Sequence, residues 1–379
     1  MRRCWCLWGL VCITLGPWPF ATVASTQWVR GAGAVSAWSP LLPPKEVRTG
    51  GVVLRYLPEL SAGVETGQRW MVDGELAVNS FVRLYWPPAG EFRARLYRAW
   101  LRLSRPQWEL RAGLQNITFG SAAILRPLMW FERVDPRDPL RLVDGVVGVL
   151  GRYYSLRNAT FWGWVLYGDQ EARGWDVLPS AKSPEVGGRL QLAVPRGEVA
   201  LSGHYRNVKA ERGLTTFPTD TEGPECRVGL DAKWDVRIGL WAEGTVVRRD
   251  IPDRLLRQQY MGALGCDYTF PLGNGLHLLG ETLWMSFGKS ARSRTLSATT
   301  IGYPLSIVDM FSSVVMFDWQ ERVFYRFASW RRTLDRWQVH LMAFWNPSDR
   351  KPIYPMMPGE RPESQFLGKG VQFLVVFNH

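Results

Sequence analysis

Beyond its N-terminus this 379-residue chain has no uncharged apolar run of the length a helical membrane span requires. Cysteine is scarce as well. Of five in the chain, three fall within the first 25 residues, which leaves Cys226 and Cys266. Two thiols exclude the framework of a small disulfide-rich secreted fold, and both sit on apolar strand faces where they read as fillers. Histidine is down to four residues. No GxSxG, HExxH, paired-cysteine metal site or phosphate-binding loop occurs, so no cofactor or metal is expected. His204 and His340 are the inward-facing histidines. They lie on distant strands with no serine partner, which leaves a barrel hydrolase as the weaker alternative. Asp135 and Asp138 have the spacing of cation ligands, but arginines interrupt them.

What is present begins with Met1-Arg2-Arg3, the run CWCLWGLVCITLGPWPF and then ATVAS. A basic, apolar, small-residue order is that of a secretory signal, here residues 1–25, cut after Ala24 or Ser25. The other reading, a membrane anchor, is opposed by Pro17 and Pro19, which shorten the run. The net charge of +12 comes mainly from arginine, since only seven of the 46 basic residues are lysine. Nucleic acid is excluded as a partner, because a secreted chain meets little of it and no basic run dominates. Twenty Trp and 12 Tyr suit a boundary between water and lipid.

The stretch PECRVGLDAKWDVRIGLWAEG, 224–244, alternates apolar and polar residues. Cys226, Val228, Leu230 and Ala232 oppose Glu225, Arg227, Asp231 and Lys233. Alternation of this kind is a strand with one apolar face. From residue 70 onward, strand follows strand with no amphipathic helix between. The tight turns, among them Pro195-Arg196 and Ser104-Arg105-Pro106, take turns with longer links at 117–145, 168–184, 208–223, 249–256, 288–294 and 346–369. Loop length sorted by end is a property of barrels in the outer membrane, and a soluble sandwich has no cause to show it. The expectation is therefore all-β: an antiparallel up-and-down transmembrane barrel of about 16 strands, occupying residues 70–379. Residues 26–69 read as a periplasmic lead-in, with 51–66 able to raise the count to 18.

With the apolar half of each ribbon on lipid, the charged half lines the lumen. The expected pore-lining residues are Glu109, Arg111, Arg189, Gln191, His204, Arg206, Arg227, Asp231, Arg237, Glu243, Arg326, Arg336 and His340. In the 224–248 hairpin the expected ladder pairs are Asp231 with Arg237 or Arg227 with Glu243. ATFWGWVLY, 159–167, is apolar on both faces and breaks the pattern; a loop folded inside the barrel would cover its inner face. The candidate is 119–145, with Leu125, Met129, Trp130 and Phe131 as anchors. Its charges Glu132, Arg133, Asp135, Arg137, Asp138 and Arg141 would narrow the channel. Folded inward it is a constriction; packed on the rim it is a lid.

The block RAGLQNITFGSAAILRPLMWFERVDPRDPLRLVDGVVGVLGRYY (111–154), with LPELS (57–61), PEVGGRLQLAVPRGEVALSGHYR (184–206) and the terminal FNH, resembles a family of porin-like bacterial outer-membrane barrels. The resemblance implies that fold and carries no catalytic residues. His379, after Phe377 and Asn378, departs from the usual aromatic end. The functional expectation is passive diffusion of small polar or charged solutes. A plugged structural or partner-binding barrel is the alternative. Expected partners are outer-membrane lipid, the barrel assembly machinery, an unspecified small polar solute and, as a homotrimer, further copies of the chain.

Overall fold

The computed structural model describes residues 26–42, 51–66, 69–85, 89–132, 142–167, 173–176, 178–210, 221–252, 256–288, 293–347 and 369–379. Residues 1–25, the expected signal, lie outside them. The strands are β1 (Thr26–Leu42), β2 (Gly51–Thr66), β3 (Trp70–Tyr85), β4 (Ala89–Arg105), β5 (Trp108–Gln115), β6 (Val146–Tyr154), β7 (Ala159–Tyr167), β8 (Pro184–Val194) and β9 (Gly197–Ala210). They continue with β10 (Thr221–Asp235), β11 (Gly239–Arg249), β12 (Gln258–Phe270), β13 (Leu276–Phe287), β14 (Ser293–Pro304), β15 (Asp309–Asp318), β16 (Val323–Thr333), β17 (Trp337–Trp345) and β18 (Lys369–Asn378).

Each strand pairs antiparallel with its neighbours in sequence, and β1 pairs with both β2 and β18. The sheet therefore closes at 18 strands, the larger of the two counts expected. The lead-in reading of residues 26–42 is corrected: they form β1. Glycine and proline hide its period, yet Ser36 faces inward between Arg55 and Val376, and Ala34 packs with Val53, Leu374 and Val376. At the closing seam His379 donates its backbone N–H to the Gly33 carbonyl at 3.0 Å. Closure leaves no strand edge, so backbone groups in hydrocarbon are paired within the wall.

Links after even-numbered strands are short turns, such as 195–196 and 236–238. The long links 116–145, 168–183 and 346–368 are all at the other end. Asn158 and Arg196 accept left-handed backbone (φ 58° and 59°) to close two of the short turns.

The outer face is apolar and exposed: Leu110, Val149, Leu201, Val228, Leu230 and Leu264 all point away from the lumen. Aromatic rings rim it at both ends. Trp70, Trp108, Trp234, Tyr268 and Trp337 stand near the short turns; Tyr205, Tyr260, Trp284, Phe324 and Trp345 stand near the long loops. On β17, Trp337 and Trp345 are about 20 Å apart along the barrel axis at the rise and tilt usual in such walls. Leu230→Arg places a charge in this belt, and a loss of about 2–4 kcal/mol of folding stability is expected. Urea unfolding in lipid vesicles, followed by heat-modifiable mobility, measures it.

Candidate functional site: a loop-filled lumen

The segment after Gln115, NITFGSAAILRPLMWFE, has no strand period and turns into the barrel. Two wall carboxylates hold its backbone. Glu281 on β13 accepts from the N–H groups of Ala123 (2.6 Å), Ile124 (2.8 Å) and Leu125 (2.7 Å), and from Trp241 Nε1 (2.8 Å). Glu243 on β11 accepts from Ala122 N–H (2.6 Å) and Leu128 N–H (3.2 Å). Gly120 takes φ +104° beside Glu243, where any Cβ would strike the carboxylate. Arg126 crosses the loop to Glu132 at 2.6 Å.

The loop's apolar side chains explain the two-faced strand β7. Phe119, Leu128, Trp130 and Phe131 pack on Leu150, Trp164 and Leu166. Leu125 and Met129 fill the space against Met261, Leu283, Met285, Leu296 and Met316 of β12–β15. The inner faces of β6–β7 and of β12–β16 are therefore two hydrophobic clusters, each built against the loop.

The β7–β8 loop enters beside it. Trp175 Nε1 donates to the Arg126 carbonyl at 2.9 Å, and Gly174 N–H donates to that of Glu132 at 2.9 Å. Asp176 pairs with Arg206 (3.0 Å) and Arg227 (2.7 Å). Glu225, fully buried, is shared by Arg206, Arg227 and Arg249. Arg189 grips Asp231 through two bonds. His204 accepts at Nδ1 from Trp164 and contacts Glu185 at 3.2 Å through Nε2, so both ring nitrogens are engaged and neither is available to activate a nucleophile. Among the described residues no three potential ligands gather into a metal site.

Glu109, Arg111, Arg189, Gln191, His204, Arg206, Arg227, Asp231, Glu243 and His340 stand on the inner face. Three others do not. Arg237 lies in the β10–β11 turn and Arg336 in the β16–β17 turn, because β11 and β17 begin later, at Gly239 and Trp337, than the alternation suggests. Arg326 points outward: Tyr325 and Phe327 take the inner positions against the loop-filled core, which leaves Arg326 on the lipid side over Phe324. The turn at 236–238 also changes the hairpin register. Asp231 sits opposite Glu243 and Arg227 opposite Val247, so neither expected ladder pair forms. Trp130 and Glu132 are in the lumen loop. Arg133, Asp135, Arg137, Asp138 and Arg141 lie outside the described residues.

The opposite arc of wall, β3–β5 with the short-turn end of β6, carries charge without the covering loop core. A bulge opposite Ala77 and Val78 makes Tyr97 an extra residue on β4. Arg95 and Arg98 thereby both face inward, an arrangement strict alternation forbids. Arg102 is held by Asp73 (2.9 Å, two bonds) and Arg152 by Glu109 (2.8 Å). Trp100 and Trp162 support Arg111 and Arg152, whose guanidinium carbons lie 4.5 and 3.9 Å from the ring centres. Arg93 and Arg95 face inward with side chains 48% and 54% exposed, so solvent reaches this side of the interior. Asp176, Arg98, Arg102, Arg126 and Arg152 are missing from the expected lining and loop residues, whereas Glu281 reads from the alternation as an inward acid with no sign of its hold on the loop. An Arg-rich β4 was the one visible signal for this wall.

A closed 18-stranded wall with an apolar, aromatic-rimmed outside and a charged inside defines an outer-membrane β-barrel of porin architecture. The sequence matches no protein-family model and no curated protein. Solved structures do match. OccAB1 of Acinetobacter baumannii superposes with a TM-score of 0.56 at 8% identity, over 93% of this chain and 95% of that one. OccK5 (OpdH) of Pseudomonas aeruginosa gives 0.53 at 10% identity, over 93% and 97%. Wzi of Escherichia coli, described as a carbohydrate-binding β-barrel involved in group 1 capsule assembly, gives 0.53 at 11%, over 92% and 84%. Likeness at this identity is likeness of fold.

Proposed function

We propose that the protein is a porin-like channel through which small polar or charged solutes diffuse passively across the outer membrane. The carrying observation is the asymmetry of the lumen. One arc is covered by the two inward loops, while β4 presents solvent-exposed Arg93 and Arg95 inside the wall. The first limb of the β5–β6 loop, 116–132, is the constriction, fixed by Glu243 and Glu281. The route runs beside that loop along β4, where Arg93 and Arg95, the latter paired with Asp144 of the loop's far limb at 2.7 Å, contribute to its electrostatics. Homotrimer formation belongs to the same proposal, and chemical cross-linking in the membrane tests it.

Purified protein in a planar bilayer is expected to show stable, ohmic single-channel steps. Arg93→Ala with Arg95→Ala is expected to move the reversal potential in a salt gradient toward cation preference. Silence from folded protein favours the second reading, a plugged barrel that binds a partner, for which the buried loop core is the supporting observation.

A further inference from the structure

The outward placement of Arg326 leaves a cation on the lipid side of the wall. The register brings a second to the same height. Arg326 on β16 is the cross-strand partner of Trp345 on β17, and Trp345 is the partner of Lys369 on β18. Arg326, Trp345 and Lys369 therefore stand side by side on three adjacent strands, all exposed and all facing out. The two cations are about 10 Å apart at the backbone, a gap their side chains can close from both sides.

Their height is that of the lipid headgroups. Each lies within a few residues of the long-loop end of its strand. Around them is the aromatic rim: Phe317 and Phe324 have ring centres 4.4 Å apart, Phe317 and Trp319 5.0 Å. The Arg326 guanidinium carbon lies 4.9 Å from the Phe324 ring centre. Acids are sparse here. Among the described residues, the outward face of β15–β18 carries one, Asp309, at the opposite end and held by Arg332. Glu321 stands in the β15–β16 turn above, beside the exposed Arg322.

We infer that the outer rim of β16–β18 is a binding site for the phosphate of an anionic membrane lipid. Arg326 and Lys369 bracket the phosphate, and the aromatic shelf of Phe324 and Trp345 takes the glycerol or sugar backbone and the start of the acyl chains. Two exposed cations that face no acid among the described residues of β15–β18 repel each other, and a lipid phosphate relieves this in a position where water is already thin. The inference is independent of whether the lumen conducts.

Native mass spectrometry of the full-length protein released from detergent tests it, with dioleoylphosphatidylglycerol, dioleoylphosphatidylcholine and inorganic phosphate as probes. The expected result is a retained phosphatidylglycerol adduct. It weakens about fivefold for each charge removed in Arg326→Gln and Lys369→Gln, and roughly 25-fold in the double variant. Arg326→Lys, which keeps the charge, retains it, and guards against a fold defect in the neutral variants. Equal retention of phosphatidylglycerol by the double variant, or equal retention of the two lipids by the native protein, overturns the inference. So does displacement of the lipid by inorganic phosphate, which would mark a free-anion site instead.

Discussion

Glu281→Ala is expected to produce the largest change in the lumen. The side chain accepts from three consecutive loop N–H groups and from the Trp241 indole. Removing it leaves four donors without their acceptor, of which the Leu125 N–H and Trp241 Nε1 are buried and those of Ala123 and Ile124 partly so. At 1–3 kcal/mol for each donor that finds no substitute, and with some relief as the loop shifts, a loss of roughly 3 kcal/mol or more follows. The same change frees Leu125 to leave Leu283 and Met316. Urea unfolding reports the first effect. Single-channel recording reports the second, as steps at least twice the native conductance, with flicker. Glu281→Gln keeps one acceptor oxygen and brings an amide toward the same donors, so its loss falls between native and alanine. A quiet, native-sized step from Glu281→Ala would show that the loop is held elsewhere.

Glu225→Ala is expected to be nearly as damaging, for an electrostatic reason. Arg206, Arg227 and Arg249 converge on this carboxylate, and all four side chains are buried. Without Glu225, the three cations share Asp176, which contacts only Arg206 and Arg227. Uncompensated buried charge costs about 3–5 kcal/mol. Arg249 is then the cation with least support, retaining the Leu256 carbonyl and the Gln259 side chain. Adding Arg249→Leu to Glu225→Ala should recover part of the loss, and a double-mutant cycle on unfolding free energies measures the recovery. Strict additivity of the two changes would contradict the shared-charge arrangement. Both residues line the barrel interior, yet the cluster's role here is to fasten the β7–β8 loop through Asp176.

The architecture was readable because one physical rule acts on most of the wall. Residues such as Cys226, Val228 and Leu230 meet lipid while Glu225, Arg227 and Asp231 do not, and the alternation records this. The rule fades where the lumen itself is a hydrophobic core. On β16 both faces are apolar, since Tyr325 and Phe327 pack under the loop while Phe324 faces lipid, and Arg326 was assigned inward on polarity alone. Around 236–238, three residues of turn look like the start of a strand, and the cross-strand partners of Asp231 and Arg227 moved accordingly. The bulge at Tyr97 has no sequence mark, so strict alternation gives no sign that Arg98 faces inward. The need for an inward loop was legible in ATFWGWVLY, because Trp164 and Leu166 require cover. Which carboxylates hold that loop was not, since Glu243 and Glu281 look in sequence like any lumen acid.

The central claim is that one face of every strand touches acyl chains and the other faces the enclosed interior. Cys226 and Cys266 are free, and both lie on the outward face. A nitroxide on Cys266 in a Cys226→Ser background, with the protein folded into phospholipid vesicles, tests the claim directly. The account predicts that its relaxation is enhanced strongly by oxygen and weakly by a water-soluble nickel chelate. A nitroxide placed instead at Arg95→Cys, with both native cysteines replaced, is predicted to show the reverse. Nickel accessibility at Cys266 equal to that at position 95 would contradict the orientation, and the channel proposal with it.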